Sequence, residues 1–402
     1  MDETSVRGLL EIALGDEPPI GPVTRNSLRL GIQLRRRSRM RRAAGGAAVV
    51  IAMAVAIPAV TGVLGHTAAT RHPAPRPAGP WVPPTGTAYV INSGGGTVTP
   101  IDLATSMPGT PIIISGEPTT MTIAPGGKTA YVSSGGTNSA PAQTMTPIDL
   151  TTNTAGKPIT LQWPADEIVV TPDGKTAYII NGFPSRTLTP VDLATSTPGR
   201  SITLSEPADA IVMAPDGNAY VTIQGATGDE FMSADLTTGR LGRPVKLGGQ
   251  ADAVAIAPDG KTAYVVTQPA KMVIRVTPIN LRTVTAGRPI NFSTKPGPAS
   301  FFGQPLAIAF TPQGTTAYVA NGATSTVTPV DLATSTAGKP INISGKPGAD
   351  AIAISPNGTT AYVANQPSST VTPVDLATGT PEKPIKIGHG WDSGFEAIAI
   401  VP

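Results

Sequence analysis

From Thr316 the chain reads TAYVANGATSTVTPVDLATSTAGKPINISG, and from Thr360 it reads TAYVANQPSSTVTPVDLATGTPEKPIKIG. All seven tyrosines, Tyr89, Tyr131, Tyr178, Tyr220, Tyr264, Tyr318 and Tyr362, fall at one position of this repeat, with spacings of 42, 47, 42, 44, 54 and 44 residues. A period in the forties with several short strands per unit predicts a propeller, in which each unit is one blade. Four strand-like segments recur: A (ADAIAIS at 349–355), B (TAYVAN), C (TVTPVDL) and D (KPINIS). A Pro-x-Gly turn joins A to B, as PDG at Pro172, Pro215 and Pro258, because Pro presets φ and Gly tolerates positive φ. Apolar and β-branched residues recur on both faces of these segments, as expected for sheets covered on both sides.

Counting the copies predicts how the ring shuts. Segments B, C and D each occur seven times, the first B being GTAYVIN at Gly86, which no A segment precedes. Segment A also occurs seven times, and its last copy, EAIAIVP, ends at Pro402. The C-terminal A segment therefore fits the empty slot of the first unit and removes the edges that an open stack would expose. The expected fold is all-β, a seven-bladed propeller of four-stranded antiparallel blades closed by the C-terminal strand and preceded by one transmembrane helix. Its expected parts are an Arg-rich tail at 1–42, a transmembrane helix at 43–65, a Pro-rich linker at 66–80 and the propeller at 81–402.

The repeat resembles the YVTN family of bacterial β-propellers, on the strength of YVAN at Tyr318–Asn321 and Tyr362–Asn365, PDG at three turns, and the hydrophobic-Asp strand of segment C. The resemblance covers residues 81–402. It implies the fold and leaves the activity open, because propellers host both enzymes and binding modules.

Ala43 to Leu64 runs without a charged residue, and 22 residues at about 1.5 Å each exceed a hydrocarbon core of about 30 Å. Arg29, Arg35, Arg36, Arg37, Arg39, Arg41 and Arg42 precede it, whereas only His66, Arg71, His72 and Arg76 follow closely. That bias puts the N-terminus in the cytoplasm and the propeller outside, in a single-pass arrangement. A cleaved signal peptide has a shorter apolar core and a shorter leader, which favours an uncleaved anchor. TSVRGLLEIAL near the start predicts a short helix ended by GDEPPIGP.

Charge divides along the same boundary. Residues 1–80 carry eleven Arg against five acids, while residues 81–402 carry 18 basic and 21 acidic groups. A mildly acidic main body argues against nucleic acid as its ligand. The absence of cysteine excludes thiolate catalysis, thiolate metal sites and disulfides.

The search for chemistry finds no catalytic set, no metal cluster and no call for a cofactor. His389 is the propeller's single histidine, too few for a multi-histidine copper or haem site, and no nucleophile elbow or phosphate loop is present. Six residues before each turn proline stand Asp166, Asp209, Asp252, Asp350 and Glu396, with Thr119 and Leu306 in the other two units. Ring symmetry sets these carboxylates around one channel mouth, as a cation or polar-ligand site or as repeated acceptors of backbone N–H groups. With strands alternating in direction, D–A and B–C loops share one face. Trp163, Phe301, Phe302, Trp391 and Phe395 lie in or beside D–A loops and Phe183 lies in a B–C loop, so this face is the candidate binding surface. The expected function is a membrane-anchored scaffold or recognition module for a cell-envelope protein, peptide or glycan. The alternatives are a lactonase-like or cation-dependent enzyme using the carboxylates, and a spacer that signals through the tail.

Overall fold

The computed structural model describes residues 86–135, 143–181, 185–225, 228–270, 272–293, 306–343, 348–365, 368–387 and 397–401. The tail, anchor and linker expected at 1–80 lie outside these residues. No helix among the described residues is long and apolar enough to cross a membrane.

Seven separate sheets form, each running A-B-C-D in strand order. In blade 1 the B strand, Thr87–Asn92, pairs on one side with the C strand, Thr97–Asp102, and on the other with the C-terminal strand, Ile398–Ile400. Ala88 faces Ile400, Tyr89 faces Ala399 and Val90 faces Ile398, all antiparallel. Two further bonds extend the seam, Ile91 N–H to Ala397 C=O and Val401 N–H to Thr87 C=O. Each A strand lies against the A strands of both neighbouring blades, so the A strands form a closed inner ring. Blades converge towards that ring, which explains its small side chains: Ala307, Ala309, Ala349, Ala351 and Ala353 are all buried there.

The outer strand departs from the expected single D strand. It is two short pieces, such as Met107–Pro108 and Ile112–Ile113 in blade 1, both paired with the C strand. The gap falls opposite the proline of TVTPVDL, and equally opposite Ser233, which stands at that position in blade 4. The D strand loops out there and the carbonyl of Pro100 takes the N–H of Gly109 at 2.7 Å, an arrangement that tolerates proline because no N–H is needed from that position. The same carbonyl bond recurs at Pro147, Pro190, Pro278, Pro329 and Pro373.

The residues that mark the repeat hold the ring together. Tyr220 of blade 4 donates its hydroxyl to the carbonyl of Leu281 in blade 5 at 2.8 Å, and Tyr89 of blade 1 reaches Leu150 and Asn153 of blade 2. Tyr362 of blade 7 reaches Leu103 of blade 1 across the closing seam at 3.2 Å. Burial raises the phenol of Tyr362 to about 12 and also raises those of Tyr131, Tyr178, Tyr220, Tyr264 and Tyr318. Asparagines at the ends of B strands fasten the B–C hairpins: Asn92 accepts from Gly95 N–H, and Asn365 donates to Thr372. Aspartates at the ends of C strands cap the next turn, as Asp375 does by accepting from Ala377 and Thr378 N–H.

These staples predict a measurable cost. Tyr220→Phe keeps the ring stacked on Phe231, 5.5 Å away, but leaves the Leu281 carbonyl without its donor. We expect a loss of about 1–2 kcal/mol in stability by chemical denaturation. An unchanged midpoint would show that the tyrosine acts through its ring alone.

Candidate functional site

The B–C and D–A loops meet on one face, as the loop around Asp229 demonstrates. Asp229 sits between the B and C strands of blade 4, Ala219–Ile223 and Glu230–Ala234. Its N–H donates to the Gly249 carbonyl and its own carbonyl accepts from Leu247 N–H, both residues of the loop that leads from blade 4 to blade 5. Its carboxylate then accepts from Ala251 N–H at 2.7 Å, where the A strand of blade 5 begins. Gly348 N–H likewise donates to the Gly322 carbonyl, joining the two kinds of loop beside blade 6.

The carboxylates expected at the channel mouth share a cause. Pairing of A with B skips one residue between Ala165 and Glu167, Ala208 and Ala210, Ala251 and Ala253, and Ala349 and Ala351. The skipped residues are Asp166, Asp209, Asp252 and Asp350, so each is the extra residue of a β-bulge. Thr119 takes the same place in blade 2, where its hydroxyl meets that of Ser133 at 2.8 Å. Blade 6 pairs without a skip from Leu306 to Phe310. A bulge leaves its extra residue outside the ladder and turns it to a new direction, which suits a short polar side chain. The four aspartates are not equivalent: Asp166 is exposed, Asp209 and Asp252 are half-buried and Asp350 is buried. Glu396 and His389 lie outside the described residues.

Asp252 differs most from an ordinary carboxylate. Burial, and then the charge of Asp229, push its pKa up to about 7. Its Oδ2 is buried with no hydrogen-bond partner. The Asp229–Asp252 pair is thus two carboxylates of which one holds a proton near neutral pH.

Glu167 is a functional candidate that the repeat analysis passes over. It stands one residue after the bulge of blade 3, where the other copies have Thr120, Ala210, Ala253, Ala307, Ala351 and Ala397. Only 4% of it is exposed, and its Oε2 accepts Ile211 N–H of blade 4 at 2.6 Å while Oε1 has no partner. Burial raises its pKa well above the ordinary value, and the charge of Asp166 adds to that rise. The signal was available as a single acidic letter in a column of alanines. Asp229 had a fainter signal, the decay of TVTPVDL to EFMSADL in that copy.

Of the predicted aromatic face, the structure describes Trp163, which lies between Leu161 and Ala165 in a D–A loop and is 42% exposed. Phe183, Phe301, Phe302, Trp391 and Phe395 lie outside the described residues. Among the described residues no group of three or more His, Asp or Glu side chains could hold a metal ion. On the opposite face, a hollow of ≈ 330 Å³ is lined by Lys128, Pro147, Asp149 and Thr154 of blade 2. Hydrogen bonds from Thr151 hold the Asp149 carboxyl there below the usual range, which makes it a turn cap.

No family model matches the sequence, so the YVTN resemblance rests on the motifs, and no curated protein matches it. Solved structures share the fold. Kuenenia stuttgartiensis hydrazine synthase matches with a TM-score of 0.60 at 21% identity, over 72% of this chain and 92% of that one. A functionally unknown protein from Desulfotomaculum acetoxidans DSM 771 matches with a TM-score of 0.60 at 18% identity, over 78% and 98%. A candidate 6-phosphogluconolactonase from Bacteroides uniformis ATCC 8492 matches with a TM-score of 0.58 at 13% identity, over 78% and 99%. Similarity at this level shows a β-propeller and carries no activity with it.

Proposed function

We propose that this chain is a recognition module, anchored in a membrane through Ala43–Leu64, that binds a cell-envelope protein, peptide or glycan on its D–A/B–C face. The supporting observation is a division of labour among the side chains. Side chains of the repeat serve the fold: Tyr89, Tyr220 and Tyr362 bond the neighbouring blade, Asn92 and Asn365 hold their hairpins, and Asp375 caps its turn. Insertions into the repeat fall in the loops of one face, where Trp163 is exposed and bulge aspartates stand near the start of four A strands. Aromatic side chains supply large contact area at low entropic cost, and polar groups below them set orientation.

The test is binding of the chain to purified envelope fractions, peptidoglycan fragments and isolated wall glycans presented separately. Replacing Trp163, Phe302 and Trp391 together by Ala is expected to weaken the interaction at least tenfold. Equal affinity of parent and variant overturns the assignment of the face.

A second reading, hydrolysis of a lactone-like substrate, draws on Asp252. A carboxylate poised near pH 7 beside a second carboxylate suits general acid–base work. Lactone turnover with a limb near pH 7 that disappears in Asp252→Asn supports it, and absence of turnover at any pH between 5 and 9 retires it.

A further inference from the structure

An open strand edge invites pairing with another chain, and each of the seven blades ends in one. Six of them carry an exposed cation at one repeat position: Lys157, Arg200, Arg243, Arg288, Lys339 and Lys383. Charges placed this way keep edges from joining. Blade 1 has Thr110 there. Its edge is also the most apolar: Ile113 is 79% exposed and Met107 is 63% exposed. The other copies place Thr160, Thr203, Lys246, Asn291, Asn342 and Lys386 where Ile113 stands, and Thr or Arg where Met107 stands. Met107 pairs with Asp102 and Ile113 with Thr97, residues that point to opposite faces of the C strand. The two apolar side chains therefore flank the bare edge from both sides.

We propose that this edge, Met107–Ile113, is the surface on which two copies of the chain join about a twofold axis. The charge pattern selects the occupant. A twofold contact places a surface against itself, so residues near the axis meet their own counterparts. On six edges that would oppose two cations; on blade 1 it opposes two threonines and buries Met107 and Ile113. One such edge per disc closes the assembly at a dimer and forbids a filament. Pro108 and Pro111 lack the N–H needed for a continuous ladder, so side chains make the contact. A standard interface buries roughly 800 Å² per partner, and a contact centred on two apolar side chains is expected to give a dimer that is weak in solution. This inference does not depend on the proposed ligand face, which lies elsewhere on the disc.

The experiment is sedimentation of the full-length chain in detergent micelles from about 1 to 100 µM. A reversible monomer–dimer equilibrium is expected. Thr110→Lys and Ile113→Lys install residue types that other blades carry at the same positions, so the blade should fold; each is expected to raise the dissociation constant at least tenfold. Lys339→Thr on blade 6 is expected to leave it unchanged. A chain that stays monomeric throughout the range overturns the proposal. So does a dimer that survives in a variant carrying both Thr110→Lys and Ile113→Lys with unaltered thermal unfolding, because another surface then holds it. A monomer whose Met107 resists oxidation, showing that the chain's own N-terminal segment covers the edge, overturns it as well.

Discussion

Removing residues 397–402 should turn a cooperative disc into an open arc and lower the melting temperature by more than ~10 °C. Three losses coincide. The B strand of blade 1 loses its inner partner over Ala88–Val90, together with the bonds to Ala397 and from Val401. Buried Ile398 leaves the core shared with blade 7, and Ala397 leaves the core shared with blade 2. At about 1.5–3 kcal/mol per buried aliphatic side chain, Ile398 and the half-buried Ile400 and Val401 together represent several kcal/mol. That is a large share of a total stability of about 5–15 kcal/mol. The bared B-strand edge of blade 1 and the uncovered faces of blades 2 and 7 would also promote aggregation. Moving these six residues together with Glu396, as EAIAIVP, to a position ahead of Gly86 through a flexible linker should restore most of the loss, because the slot is indifferent to the direction of the connection. Calorimetry of the truncated and permuted chains decides the matter; a truncated chain that melts within 2 °C of the parent would falsify the seam as the closing element.

Glu167→Gln should stabilise the protein, and by more at pH 8 than at pH 5. The inner strand of blade 3, Ala165–Val170, packs against those of blades 2 and 4, and none of the strands concerned, Glu117–Ile123, Thr129–Gly135, Thr176–Asn181 and Ala208–Met213, carries Lys, Arg or His. Their charged groups are Glu117, Asp166 and Asp209, all acidic. The buried carboxyl therefore keeps its proton to a higher pH folded than unfolded. Its contribution is whole below the unfolded value near 4.5 and falls as pH climbs from there to the raised folded value. Glutamine retains an acceptor for Ile211 N–H and has no charge to bury. The gain at pH 8 should reach about 2 kcal/mol, a few degrees in melting temperature. A variant advantage that is flat between pH 5 and pH 8 would show that the proton is not held by Glu167. Asp252 titrates near 7 and supplies a second decline, between its ordinary value of 3.8 and that pH, which Asp252→Asn should remove separately.

Much of the architecture is legible from the letters alone, for a physical reason. Periodicity is local information: each unit of about forty residues states its own strands and turns, and a count of units states the number of blades. The orphan A segment at Ala397–Ile400 even states which ends meet, because only one slot lacks that strand. Two features escaped because they depend on missing or displaced hydrogen bonds. The outer strand loops out opposite Pro100 and its counterparts, Ser233 included, and the aspartates near the start of four A strands are expelled as bulge residues.

What side chains do for one another needed the tertiary structure. Tyr220 and Leu281 are 61 residues apart, and Tyr362 and Leu103 are 259 apart, yet each pair shares one bond. The single column of seven tyrosines announces a repeat and says nothing of a staple between neighbours. Glu167 is one letter among alanines until the approach of blade 4 removes its water and hands it the Ile211 N–H. Strand order is encoded within each unit, and blade number and closure in the count of units. Burial, proton affinity and partner choice arise between units, where packing brings together groups that the chain holds far apart.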